Sequence, residues 1–330
     1  MNTFTAYRLF ADSDSEAPQG RFVDMRIDEL SPGDVVIRVA YSSINYKDAL
    51  AAAGINRIIR AFPRIGGIDL AGHVASSADP RFQPGDPVVV HGFGIGVERD
   101  GGHAQYARVA ADMVMPLPDG LGLLEASILG AAGYTAGLCL HWMELNGLAP
   151  ESGKVLVTGA TGGVGSIAID MLAQRGYQVT ALTGKADAHD YLRMLGAAEI
   201  LPAEQAGAPG KPLEKALWAG AVDSVGGAVL GWLLRTTQAE GVVTSFGNAG
   251  GSAFDATVLP FILRGVKLIG INANSPMALR RAVWEKIARQ YRPRHLEAIA
   301  NIIDFEALPQ CMARMRDRAS RGRAIIRMEH

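Results

Sequence analysis

Residues 155–165 read VLVTGATGGVG. An apolar run gives way to a glycine-rich turn. Beyond it Val164, Ile167, Ala168, Met171 and Leu172 recur at i, i+3, i+4, i+7 and i+8, one face of a helix. Gly176 stands where a C′ glycine would end that helix. A buried strand, a glycine turn and an amphipathic helix in this order form a dinucleotide-binding βα unit. Gly162, Gly163 and Gly165 admit backbone to a pyrophosphate, while the helix start offers free N–H groups and a positive dipole end. The alternative is a βα turn with a structural role alone.

Five further strand-like runs follow: QVTALT (178–183), EIL (199–201), AVDSVG (221–226), GVVTSFG (241–247) and VKLIGIN (266–272). They alternate with helical segments, which predicts a doubly wound parallel sheet of six strands. The second strand leads into Thr183-Gly184-Lys185, where an NAD site would carry an acidic residue for the ribose 2′-hydroxyl. A hydroxyl, a glycine and a cation suit a 2′-phosphate instead, so NADPH is the expected cofactor. Asp187 lies close by, and a solvated surface lysine is the alternative.

Upstream, VVIRVAYSSIN (35–45), PGDPVVVHGFG (84–94) and HAQYARV (103–109) read as short strands of a small barrel. A long apolar helix is expected over 123–145; its glycines, Thr135 and His141 suit a buried helix better than a bilayer span. The last sixty or so residues hold two amphipathic helices and AIIRM (324–328), a strand that returns to the barrel. The expected divisions are 1–123, 124–275 and 276–330.

Composition narrows the function. Lys and Arg total 32 against 33 Asp and Glu, so no basic field draws nucleic acid or an anionic membrane. The 39 glycines in 330 residues exceed the usual ~7% and signal tight turns. Cys139 and Cys311 form no CxxC pair, which excludes a disulfide framework or a thiolate-rich zinc site and suits a reducing compartment. The opening residues lack a secretory pattern, so a cytoplasmic protein is expected.

In Ser42-Ser43-Ile44-Asn45-Tyr46-Lys47-Asp48 a strand runs into a polar turn before a helix. Ser43 or Asp48 suits an ordinary helix cap. Tyr46 offers a proton or hydrogen bond and Asn45 a hold on a nicotinamide ribose; spacing leaves both readings open. Arg57, Arg60 and Arg64 form a basic group that suits a phosphate or simply faces solvent.

These stretches resemble the zinc-independent branch of the medium-chain dehydrogenase/reductase superfamily, in its acrylyl-CoA reductase and quinone-oxidoreductase-like group (AcuI, YhdH and YhfP). The matching residues include Asn45 to Ala49, Gly67-Ile68-Asp69, Asp79 to Phe82, Thr158 to Gly165, Trp218-Ala219-Gly220, Pro260 to Arg264 and Gly322-Arg323, and the likeness covers essentially the whole chain. It implies an α/β protein: a GroES-like β-barrel catalytic domain completed by the C-terminal segment, a Rossmann domain, and NADPH in the cleft between them. The implied cofactor contacts are Tyr46, Thr161, Gly162, Gly163, Val164, Gly165, Thr183, Gly184, Lys185, Asn248 and Ile262. Tyr46, Asn45 and Arg323 are the implied catalytic residues, Arg323 touching a thioester or phosphate unless it merely makes a surface ion pair.

The implied reaction is hydride delivery to the β-carbon of a small α,β-unsaturated acyl-CoA, acrylyl-CoA to propanoyl-CoA, by a cytoplasmic homodimer. A quinone or enone reductase of the same fold is the rival, and an NADPH-binding sensor without turnover is a second. The sequence departs from the group at Phe93, where tryptophan is usual, and at Asn272-Ala273, where Asp-Ser is usual; both fall at the expected substrate cleft. Zinc relatives carry Gly-His-Glu where this chain has Gly67-Ile68-Asp69, and they add a cysteine-rich lobe. No metal site is expected, and His73, His91 and His103 read as structural.

Overall fold

Strand patterning builds two units, which the computed structural model describes over residues 3–11 and 17–329. The first unit takes in Met1–Ala131, Pro276–Arg281 and Leu296–His330; the second takes in Ala132–Ser275 and Ala282–His295.

The first unit begins with β1 (Phe4–Phe10), β2 (Gln19–Met25), β3 (Val35–Ile44), α1 (Tyr46–Ala52), β4 (Arg64–Ile65), β5 (Asp69–Ser77), β6 (Pro87–His91), β7 (Tyr106–Val109) and β8 (Met115–Pro116). β1 lies between β2 and β4, while β3 is central to a seven-stranded sheet. Val35, Ile37 and Val39 of β3 point into the core and Arg38 points out, the alternation of a strand with one buried face. The register with β5 then shifts between Val39 and Tyr41. Such a bulge re-aims side chains, and beyond it Ser42, Ser43 and Ile44 are all buried.

α2 (Leu123–Leu145) is the one helix among the described residues long and apolar enough to cross a membrane, and most of that stretch is buried inside the protein. The single helix expected over 123–145 is two helical pieces joined at Gly130, whose φ of 45° and ψ of −146° break the ladder. Positive φ costs glycine little, so the break sits there.

Six parallel strands form the second unit: β9 (Lys154–Val157), β10 (Gln178–Thr183), β11 (Ala197–Pro202), β12 (Trp218–Asp223), β13 (Thr237–Ser245) and β14 (Lys267–Gly270), in the order β11-β10-β9-β12-β13-β14. This is the doubly wound order. Val155, Leu156 and Val157 are wholly buried, as parallel strands covered on both faces require. Between the strands run α3 (Gly163–Gln174), α4 (His189–Met194), α5 (Gly227–Thr236) and α6 (Leu259–Arg264). Ile167, Ala168, Met171 and Leu172, the expected apolar face of α3, are buried.

The chain closes with α7 (Met277–Ala288), α8 (Leu296–Ile299), β15 (Ala300–Asp304), α9 (Leu308–Arg316) and β16 (Arg323–Arg327). β16 makes the expected return, pairing antiparallel with β3 so that Ala324 faces Ile44. Residues 124–131 group with the first unit rather than the second, and 282–295 with the second rather than the C-terminal segment. The reason is packing: Ile287 closes on Gly137, Tyr291 donates to Glu144 at 2.6 Å, and the His295 amide donates to Asp170 at 2.7 Å.

A Cβ on Gly130 would lie 2.5 Å from Asp69 Oδ2. Gly130→Ala is therefore expected to lower the unfolding free energy by about 2 kcal/mol or more, from positive φ and overpacking together. Denaturant unfolding checks this, and an unchanged midpoint would contradict it.

Candidate active site

β3 runs between β5 and β16, so the first residues of those strands, Asp69 and Arg323, flank its end at Ser42 to Asn45. Asp69 and Arg323 are each 2% exposed, and Arg323 Nη2 lies 3.4 Å from Asp69 Oδ2. All five guanidinium N–H groups are engaged. Nε donates to the Ile128 carbonyl at 3.0 Å, Nη1 to the Ile44 carbonyl and to Asn45 Oδ1 at 2.8 Å, and Nη2 to Ser43 Oγ and Asp69. Asp69 also accepts from the Ser43 hydroxyl in a short bond, from Asn45 Nδ2 at 3.1 Å and from the Ala131 amide at 2.9 Å. The break at Gly130 supplies the Ile128 carbonyl and the Ala131 amide, both of which a continuous helix would have used.

Arg323 is thus neither a surface ion pair nor a donor held open for a ligand: it is spent inside the protein. Burial pulls its pKa below the ordinary value, against the pull of Asp69 and Asp48. Asn45 caps α1, with its side-chain amide committed to the same network. Asp48 accepts from the amides of Asn45 at 2.8 Å, Ile68 at 3.1 Å and Gly67 at 3.2 Å. Burial pushes its carboxyl above the ordinary value, His103 opposing. Tyr46 follows Asn45 and is 38% exposed, and its hydroxyl has no hydrogen-bond partner among the described residues. Asn45 and Arg323 therefore come together, with Tyr46 at the edge of their network.

In the second unit, the turn after β9 brings Thr161 to Gly165 to the start of α3. Gly159 adopts a φ of 56°, and a Cβ on Gly165 would lie 2.5 Å from the Gly159 carbonyl oxygen. Gly165 thus lets the helix close on the turn. Gly162 is exposed and Gly163 half-buried, while the first turn of α3 leaves its amides without intrahelical acceptors. Backbone of this kind fits a pyrophosphate.

Thr183 ends the neighbouring strand β10, and its hydroxyl accepts the Lys185 amide at 3.1 Å, bending the chain so that Gly184 is exposed and Lys185 half-buried. Asn248 is exposed in the segment after β13. Ile262 lies on α6 and is 68% exposed.

Sequence reasoning missed Asp223, the fully buried last residue of β12. It accepts from Thr158 Oγ1 at 2.8 Å, Ser245 Oγ at 3.0 Å and the amides of Val225 and Gly226 at 3.1 Å, tying together the ends of β9, β12 and β13. The signal was a carboxylate ending an otherwise apolar strand, a place where it needs donors.

Among the described residues no group of three or more His, Cys, Asp or Glu could hold a metal ion. His103 is buried with Nε2 3.2 Å from the Ser43 carbonyl. His91 is buried beneath Arg280, whose Nη1 donates to the His91 carbonyl at 2.7 Å and whose guanidinium lies 4.3 Å from the Phe93 ring. Phe93 itself takes a φ of 52° between Gly92 and Gly94. Ser275, just past Ala273, shares a short hydrogen bond with the Tyr134 hydroxyl.

Burial, then the Arg280 charge, holds His91 well below the ordinary imidazole range. The folded protein keeps it neutral, so its contribution is whole above the unfolded pKa of ~6.5 and is lost as pH falls below that, by up to ~1.4 kcal/mol per pH unit. Unfolding free energies measured from pH 7.5 down to 5.5 should fall more steeply in the wild type than in His91→Asn; equal slopes would contradict this.

Comparison with known proteins places this geometry. A family model described as the alcohol dehydrogenase GroES-like domain matches residues 31–119, and one described as zinc-binding dehydrogenase matches 163–289. YhfP of Bacillus subtilis, which carries a quinone oxidoreductase name, is 47% identical over 91% of this chain and 92% of its own. Its crystal structure with NAD bound aligns with a TM-score of 0.96, covering 99% of this chain and all of that one, at 44% identity. The acrylyl-CoA reductase AcuI of Ruegeria pomeroyi is 41% identical over 98% of both chains. The crystal structure of YhdH from Escherichia coli with bound NADPH has a TM-score of 0.95 at 39% identity, covering 98% of this chain and all of that one. The chain belongs to the medium-chain dehydrogenase/reductase superfamily, in the zinc-independent, quinone-oxidoreductase-like group of AcuI, YhdH and YhfP.

Proposed function

We propose that this protein is an NADPH-dependent reductase of small α,β-unsaturated acyl-CoA esters, converting acrylyl-CoA to propanoyl-CoA in the cytoplasm. The observation that carries the reading is the 41% identity to an acrylyl-CoA reductase over nearly the whole of both chains. When bound, NADPH supplies the hydride for the β-carbon of the substrate.

The chain's own residues divide the remaining work. Thr161 to Gly165 receive the pyrophosphate, chiefly on the first-turn amides of α3, and Thr183, Gly184 and Lys185 take the 2′-phosphate, with Lys185 as its charged donor. Asn248 and Ile262 belong to the same cofactor site. Hydride addition leaves negative charge on the thioester oxygen, which calls for a donor. Tyr46 is that donor or positions the nicotinamide, with Asn45 and Arg323 holding the backbone on which it stands.

A CoA ester also carries phosphates that call for cations. Arg64 pairs with Asp100 at 3.5 Å, and the exposed Arg60 on the same segment suits that role, with Arg57 beside it. The homodimer is part of the proposal. β14 is an edge strand with unpaired backbone groups, and Val258 and Leu263 in the segment before it are exposed apolar side chains. The rival reading, a quinone reductase, is favoured by the name of the 47% identical relative.

Steady-state kinetics with acrylyl-CoA, crotonyl-CoA and a benzoquinone, each with NADPH and NADH, test the proposal. The highest kcat/KM is expected for acrylyl-CoA with NADPH; a benzoquinone preference would install the rival. In the same assay Lys185→Ala should raise KM for NADPH about tenfold or more and leave NADH nearly untouched, since the charge-assisted bond exists only to the 2′-phosphate. Equal losses with both cofactors would remove Lys185 from that role.

A further inference from the structure

Tyr46 is 38% exposed and follows the first unit's polar cluster in sequence, yet nothing hydrogen-bonds its hydroxyl among the described residues. Its placement is set from behind. The residue before it, Asn45, is held at four points: its backbone amide by Asp48 Oδ2, its Oδ1 by Arg323 Nη1, and its Nδ2 by both Asp69 Oδ2 and Ser43 Oγ at 3.2 Å. With an acceptor on one side and a guanidinium on the other, the amide has one orientation. Asp48 then ties the start of α1 to the amides of Gly67 and Ile68, in the loop that leads directly into Asp69. Both constraints on Asn45 therefore end at residues 67–69.

We infer that Asp69 is a positioning residue for Tyr46. Its buried carboxylate fixes Asn45 through Nδ2 and fixes the Arg323 guanidinium that clamps Asn45 Oδ1. The backbone from which the next side chain, Tyr46, projects is thereby held in one place. Asp69 also grips the Ala131 amide at the α2 break, so the strand end and the helix break cannot move independently. Asp48 serves as the second anchor from the other side of the turn. Asp69 meets no substrate in this arrangement; it acts through Asn45.

The inference rests on the reductase reading, and its test separates the two. With the acceptor that the wild type reduces fastest, kcat is measured for wild type, Tyr46→Phe, Asp69→Asn and the double variant, alongside NADPH affinity by fluorescence quenching and thermal melting. Asp69→Asn keeps the shape but places an N–H where the network needs an acceptor. It should lower kcat by about 10- to 100-fold, the loss typical when a supporting shell is broken, with NADPH affinity little changed. Tyr46→Phe should lower kcat in the wild type and cost far less in the Asp69→Asn background, because the two act as a unit. If Asp69→Asn does not fold, Asn45→Ala, at a half-buried position, takes its place in the same cycle.

Losses that multiply, a Tyr46→Phe variant with wild-type kcat, or a kcat loss matched by the loss of NADPH binding would each overturn the positioning role. A wild type that oxidises NADPH with none of the acceptors would overturn the reductase reading and this inference with it.

Discussion

The Asp69 carboxylate is the constraint around which the first unit is arranged. An ionised carboxylate removed from water carries a penalty of several kcal/mol unless charge and hydrogen bonds replace its hydration. Here the replacement comes from four residues on three segments: Ser43 and Asn45 at the end of β3, Arg323 at the start of β16, and the Ala131 amide beyond the Gly130 break. Three strands must lie in the order β16-β3-β5, and α2 must break where it does, for those donors to converge. The buried guanidinium is satisfied by the same geometry, so neither charge is tolerable without the other.

The second unit uses the same device for a different end. Asp223 gathers Thr158, Ser245 and the amides of Val225 and Gly226, fixing the ends of three adjacent parallel strands. With the strand ends fixed internally, the turn of Thr161 to Gly165 is left with the exposed Gly162 and the first amides of α3 for a ligand. In both units a buried carboxylate satisfies the protein's own donors, and the groups left over are those that suit a substrate or cofactor. The two carboxylates are positioned by topology rather than by local sequence.

That difference explains what could be read from the chain alone. The six parallel strands, the α3 face and the returning strand at 324–328 were legible because apolar spacing and glycine placement are local signals. Of the three histidines read as structural from their place in strands and turns, His91 and His103 are buried and His73 is half-buried. Asp69 was visible only as the residue where zinc relatives carry glutamate; its role depends on partners up to 254 positions away. Arg323 was read as a ligand contact for the same reason, since nothing nearby in sequence announces five internal acceptors. The α2 break was hidden because glycine in an apolar helix does not reveal its φ. The transfer of residues 282–295 to the second unit turned on tertiary contacts of Ile287, Tyr291 and His295.

The most direct test of this account is a double-mutant cycle on unfolding free energy with Asp69→Asn and Arg323→Met. Each single change leaves the other charge buried without its partner and is expected to cost about 3 to 5 kcal/mol. The double variant should cost much less than the sum, with a coupling energy of about 2 kcal/mol or more. Strictly additive losses would show that the two charges do not depend on each other and would contradict the account.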